Sequence, residues 1–213
     1  MTTVPHKTAI AKEEILQLPL QAYDGPIHLI DTDAAVGPAV AALEQESLLG
    51  FDTETKPVFV RGQSHPPALV QLAGESSVYI FQLKPLRHID PLLRLLATPD
   101  IRKVGVALAD DLKKLREYAP FEPAGFVEIG TLAQGLGMQQ TGLRPLAGLL
   151  LGIRISKREQ RSNWAREKLT PSQITYAATD AAISRELFRR LEMMRLERQE
   201  VAPQLGSARD TMA

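Results

Sequence analysis

The stretch SLLGFDTETK, Ser47 to Lys56, sets the hardest condition on any fold this chain can adopt. An apolar run of Leu48, Leu49 and Phe51 leads directly into two acids, Asp52 and Glu54, one residue apart. The run predicts a buried strand, and side chains two apart on a strand share a face. Two carboxylates then stand side by side at the mouth of a core strand. Like charges so placed repel, and burying them unpaired is costly. The fold must bring a cation to this strand end.

The rest of the chain supplies a frame for that strand. Residues 1–25 are polar, with Pro5 and Pro19 among them, and read as a loose leader. IHLI (Ile27–Ile30) predicts a short strand, and DTDAAVGPAVAALEQES a helix capped by Asp31 or Asp33 and interrupted near Gly37-Pro38. After the acid strand, a loop with Gly62, Pro66 and Pro67 precedes ALVQLAG (Ala68–Gly74). SVYIFQL (Ser77–Leu83) follows closely enough for an antiparallel hairpin.

Helical and strand signals then alternate. DPLLRLLATPD predicts a helix, IRKVGVAL (Ile101–Leu108) a buried strand, and ADDLKKLREYA a helix starting on its acids. GFVEIGTLAQGLG gives a short strand and helix, LRPLAGLLLG another helix, and ISKREQRSNWAREK a basic, irregular segment. The last long helix opens at Thr170, which forms a T-x-x-Q capping box with Gln173, and Pro171 takes its first position. A meander followed by strand–helix alternation predicts one α/β domain with a mixed sheet, over residues 26–198. Residues 199–213 read as a disordered tail.

Composition narrows the chemistry. The 213 residues contain no cysteine, which excludes disulfides, thiolate catalysis and Cys-ligated metal sites and fits a reducing, cytoplasmic setting. Glu13 and Glu14 interrupt the start of the chain, so it is no signal peptide, and no window approaches the ~20 apolar residues of a membrane span. Lys and Arg total 25, as do Asp and Glu, so any affinity for a polyanion must come from local patches.

Two further acid groups join Asp52 and Glu54. Asp110 and Asp111 follow a strand and open a helix; capping explains one of them and leaves the other over. Tyr176 and Asp180 lie four apart on the capped helix, on a face continued by Ile183, Leu187 and Leu191. An Asp on a core-facing stripe needs a partner. Four carboxylates thus converge with no Lys or Arg in these motifs, and hard divalent cations are their natural counterions. Two such ions suit in-line phosphoryl displacement, stabilising the attacking and leaving oxygens. Haloacid-dehalogenase-like phosphatases also carry an acid pair after a buried strand. Their second acid is normally Asp, where this chain has Glu54, and VGVALADD only loosely echoes their later motif.

FDTET, KVGVALADDLKKL and RSNWAREKLTPSQITYAATDAA resemble the three motifs of the DEDDy 3′–5′ exonucleases. Within that group the chain is similar to the RNase D and Werner-type exonuclease domains, over about residues 27–196. The resemblance implies an RNase H-like α/β fold: a five-stranded mixed sheet flanked by helices, its first three strands antiparallel. It implies that Asp52, Glu54, Asp111 and Asp180 hold two divalent cations, Mg²⁺ or Mn²⁺. Asp52 would bridge both, Glu54 and Asp180 would complete the tighter site, and Asp111 would support the second through water. Tyr176 would orient the attacking water, and nucleoside 5′-monophosphates would leave from a 3′ end.

The implied partner is single-stranded or 3′-recessed DNA or RNA. Lys56, Arg158, Arg161 and Arg166 are candidate phosphate contacts, while Trp164 is expected to pack in the core. RNase D proteins usually carry an R-P-L stretch between the tryptophan and the tyrosine motif, where this chain has AREKL. The chain ends soon after the last motif, so no appended helical nucleic-acid-binding domain is expected, and substrate choice is expected to rest on the catalytic domain. The alternative is a non-catalytic nucleic-acid-binding module on the same fold. Intact acids favour the enzyme, and the tyrosine motif speaks against endonucleolytic cutting.

Overall fold

The strand carrying the acid pair, β2 (Leu48–Thr55), lies inside a six-stranded sheet of the computed structural model, which describes residues 7–60 and 62–207. The other strands are β1 (Ile27–Ile30), β3 (Pro67–Ala73), β4 (Val78–Gln82), β5 (Arg102–Gly105) and β6 (Phe126–Glu128). Their order is β1-β4-β3-β2-β5-β6. The meander β2-β3-β4 is antiparallel, and β1, β5 and β6 join in parallel. The sheet has six strands rather than five because both short edge segments find a ladder partner. Ile27–Ile30 pairs with Val78–Phe81, and Phe126–Glu128 with Lys103–Gly105. Each pairing satisfies backbone groups that an edge would otherwise leave open.

Alternation along β2 divides the core. Leu49 and Phe51 face a layer built from α2 (Asp33–Leu43), α3 (Asp90–Leu96) and α4 (Leu108–Tyr118). Pro38 sits inside α2 without interrupting it, because Val36, Ala39, Val40 and Leu43 press one continuous stripe into that layer. Neither Asp31 nor Asp33 caps α2; the N-cap is Thr32, and Asp33 instead accepts from the Arg87 and His88 N–H groups. Lys103, fully buried on β5, reaches the C-terminal end of α3 and donates to Thr98 O (2.6 Å).

The other face carries α5 (Ile129–Gly135), α6 (Leu143–Leu146) with a π-helical turn over Ala147–Leu151, and the long α7 (Pro171–Ser207). The capping box at the start of α7 is formed: Gln173 N donates to Thr170 Oγ1 (3.2 Å), and Thr170 N to Gln173 Oε1 (3.0 Å). Two segments differ from the sequence reading. Residues 7–25 are packed rather than loose: Ile10 is buried, α1 spans Lys12–Gln17, and Leu20 bridges to Arg154. α7 runs on through 199–207, where disorder was expected, since each residue added to an existing helix gains a hydrogen bond without new nucleation. Residues 1–6 and 208–213 lie outside the described residues.

Candidate active site

Gly50 lets α7 lie directly on β2. A Cβ at this position would stand 2.0 Å from Ala181 O, and Ala177, Ala178 and Ala181 are all fully buried at the contact. No larger side chains separate the helix backbone from the strand. The carboxyl of Asp180 is thereby carried to the strand end where Asp52 and Glu54 project.

Asp52, Glu54 and Asp180 each offer a carboxylate oxygen within 4.8 Å of the others. Burial raises the Asp52 carboxyl well above the usual range, and the charges of Asp180 and Asp111 add to that rise. Glu54 is also raised, by burial first and then by Asp52, Asp180 and Asp111. Asp180 is raised by burial, with Arg144 and the Tyr176 hydroxyl opposing the shift. Such a set resists full ionisation until a cation joins it. Three hard oxygen donors at this spacing suit a hard divalent cation.

Asp111 arrives from the opposite face of the sheet, on the first turn of α4. Its neighbour Asp110 is exposed, while Asp111 is half-buried and accepts from the Thr53 hydroxyl (2.5 Å). Burial raises the Asp111 carboxyl, against the pull of Thr53 and Lys114. The start of α4 is fixed by Glu128 at the end of β6. Its carboxylate accepts from the N–H groups of Ala107 (3.0 Å), Leu108 (2.8 Å) and Gly130 (3.0 Å). Ala107 takes a left-handed conformation, φ 60°, to make the turn.

Tyr176 lies one turn before Asp180, with its ring 5.8 Å from that of the fully buried Trp164, which packs in the core as expected. Burial and the Asp180 charge push the Tyr176 hydroxyl up. Its hydroxyl accepts from Arg144 Nη2 (2.9 Å), a contact that no motif spacing predicts. Arg144 lies on α6, outside all three motifs. The available signal was compositional, since Arg144 is the single charged residue between Glu128 and Arg154.

The candidate phosphate contacts separate into two groups. Lys56, two residues along the chain from Glu54, lines one cavity of about 250 Å³ with Arg166, His65 and Lys84. Arg158 and Arg161 lie exposed in the turns before Trp164, outside that lining.

A family model described as 3′–5′ exonuclease matches residues 27–195. DNA polymerase I of Aquifex aeolicus is 33% identical over 156 residues, covering 73% of this chain and 25% of that protein. Among solved structures, the Aedes aegypti Nibbler EXO domain superposes with a TM-score of 0.76 at 23% identity, covering 84% of this chain and 94% of the other. Escherichia coli RNase D superposes with a TM-score of 0.74 at 23% identity, over 86% of this chain and 48% of the other. The shared fold is RNase H-like. The chain spans 25%, 19% and 42% of the lengths of three curated relatives it matches. Among the described residues, no helix is long and apolar enough to cross a membrane.

Proposed function

Because the chain belongs to the family of 3′–5′ exonuclease domains, we propose that it is a metal-dependent 3′–5′ exonuclease of the tyrosine-containing, four-carboxylate class. The observation that carries this reading is the cluster of Asp52, Glu54 and Asp180 oxygens within 4.8 Å. Asp52, Glu54 and Asp180 would hold one divalent cation, Mg²⁺ or Mn²⁺, and Asp52 with Asp111 a second. Such ions supply Lewis-acid stabilisation to the oxygens of an in-line phosphoryl displacement.

The chain's own residues do the rest. Tyr176, its ring set against Trp164 and its hydroxyl held by Arg144, orients the attacking water. Asp111 stands outside the three-oxygen cluster, held by Thr53 on a helix start clamped by Glu128, and from there would support the second ion. Lys56 and Arg166 meet backbone phosphates at the cavity they share. The substrate is a single-stranded or 3′-recessed nucleic acid, and the products are nucleoside 5′-monophosphates. The same proposal sets the protein in the cytoplasm, where a chain without cysteine needs no oxidising compartment.

Matched oligonucleotides labelled at either end test the direction. A 3′ label should leave first, as a mononucleotide, while a 5′ label stays on a shrinking ladder. Early release of internal fragments would contradict the reading.

A further inference from the structure

Arg144 projects from a segment that is otherwise uncharged from Ile129 to Ile153. It is half-buried, and its Nη2 donates both to Ser156 O (2.9 Å) and to Tyr176 Oη (2.9 Å). Nη1 reaches Gln160 Oε1 at 3.4 Å. A planar guanidinium fixed at several points cannot swing away without breaking all of them. Its donation occupies one lone pair of the tyrosine oxygen, so the hydroxyl hydrogen must point to another acceptor. Tyr176 and Asp180 lie four apart on one face of α7, so a guanidinium bonded to Tyr176 brings its positive charge up to the cluster that Asp180 completes.

We propose that Arg144 is a positioning residue for the Tyr176 hydroxyl and the built-in counter-charge of the carboxylate cluster. These two roles pull in opposite directions. The hydrogen bond favours turnover by fixing the group that orients water. The charge stabilises the cluster before a cation arrives and then competes with that cation. A residue serving only to hold the loop at Ser156 would have neither signature.

The inference rests on the exonuclease reading, so the experiment carries one arm that needs no activity. Mn²⁺ alone is titrated calorimetrically into wild type, Arg144→Gln, Arg144→Lys and Tyr176→Phe, at one pH and without nucleic acid. Turnover is measured on the same proteins and on Arg144→Gln/Tyr176→Phe, with melting temperatures alongside.

Arg144→Gln should bind Mn²⁺ several-fold more tightly than wild type while turning over about tenfold more slowly or worse, the loss of a charged hydrogen bond. Arg144→Lys keeps the charge on a shorter, differently shaped group, so its Mn²⁺ affinity should stay at the wild-type level while turnover falls. The double variant should be no slower than Tyr176→Phe. Weaker Mn²⁺ binding in Arg144→Gln, or multiplied rate losses in the double variant, would overturn the proposal. If Arg144→Gln does not fold, the affinity and rate of Arg144→Lys decide the matter. A wild type inactive on every oligonucleotide would overturn the exonuclease reading, and the Mn²⁺ arm would then decide the role of Arg144 alone.

Discussion

At Asp52, Glu54, Asp111 and Asp180 the folded chain keeps protons that the unfolded chain has already released, because every one of these carboxyls is raised, chiefly by burial. Stability from these groups is intact below the ordinary carboxylate value near 4 and is lost as pH rises through the raised values. The metal-free melting temperature should therefore fall between about pH 5 and pH 8, and fall less in Asp52→Asn. Mg²⁺ should stabilise the protein more at pH 8 than at pH 5, since it competes with protons for the same oxygens. Calorimetric scans with and without Mg²⁺ check this, and a Mg²⁺ effect that shrinks as pH rises would contradict it. Tyr176→Phe removes one oxygen from a ring held by Trp164. It should slow turnover about 10²-fold and leave the calorimetric Mn²⁺ affinity near wild type. Loss of Mn²⁺ binding in that variant would remove Tyr176 from its assigned role.

The decisive element is the contact of α7 with β2. A Cβ at Gly50 would stand 2.0 Å from Ala181 O, which is backbone and cannot swing aside. Gly50→Ala should push the helix away and cost about 2 kcal/mol of stability. Because Asp180 adjoins Ala181, the variant should also lose most of its activity. Denaturant melts and rates check both halves; an active variant of wild-type stability would show that the helix can give way cheaply.

Much at this scale is written locally. Thr170, Pro171 and Gln173 specify the start of α7 within four residues, and the face of Tyr176, Asp180, Ile183, Leu187 and Leu191 follows from helical spacing alone. The same spacing put Tyr176 and Asp180 on one face, and strand alternation did so for Asp52 and Glu54. Pro38 misled because local propensity yields to a buried stripe. Arg144 was hidden for another reason. Its partners Ser156 and Tyr176 lie 12 and 32 residues away, and no period within one element relates them.

Across the whole molecule, residues 8–23 work as a strap. Gln139 N donates to Thr8 O (2.9 Å), Gln21 N to Arg154 O (2.9 Å), and Tyr23 N to Thr179 Oγ1 (2.9 Å). Ile10, Ile15 and Leu18 crowd over Gly148 in the π-helical turn that follows Arg144. A polar, proline-bearing stretch reads as loose because its few apolar residues show no period; what orders it is a surface formed by distant elements. Deleting residues 1–22 should lower stability by about 2 kcal/mol, from lost burial and hydrogen bonds. It should also slow turnover, because the support behind α6 and the loop at Arg154 is gone. Chemical denaturation and rates test this, and a truncated protein of unchanged stability would show that the strap is ornamental.

The most direct test of the central claim is hydrolysis of a 5′-labelled single strand by wild type and Asp52→Ala, each with Mg²⁺, Mn²⁺ or EDTA. The carboxylate cluster predicts a ladder shortening from the 3′ end in the wild type with either metal, abolished by EDTA and by the substitution. An intact strand in every wild-type lane, or a ladder that persists in Asp52→Ala, would contradict it.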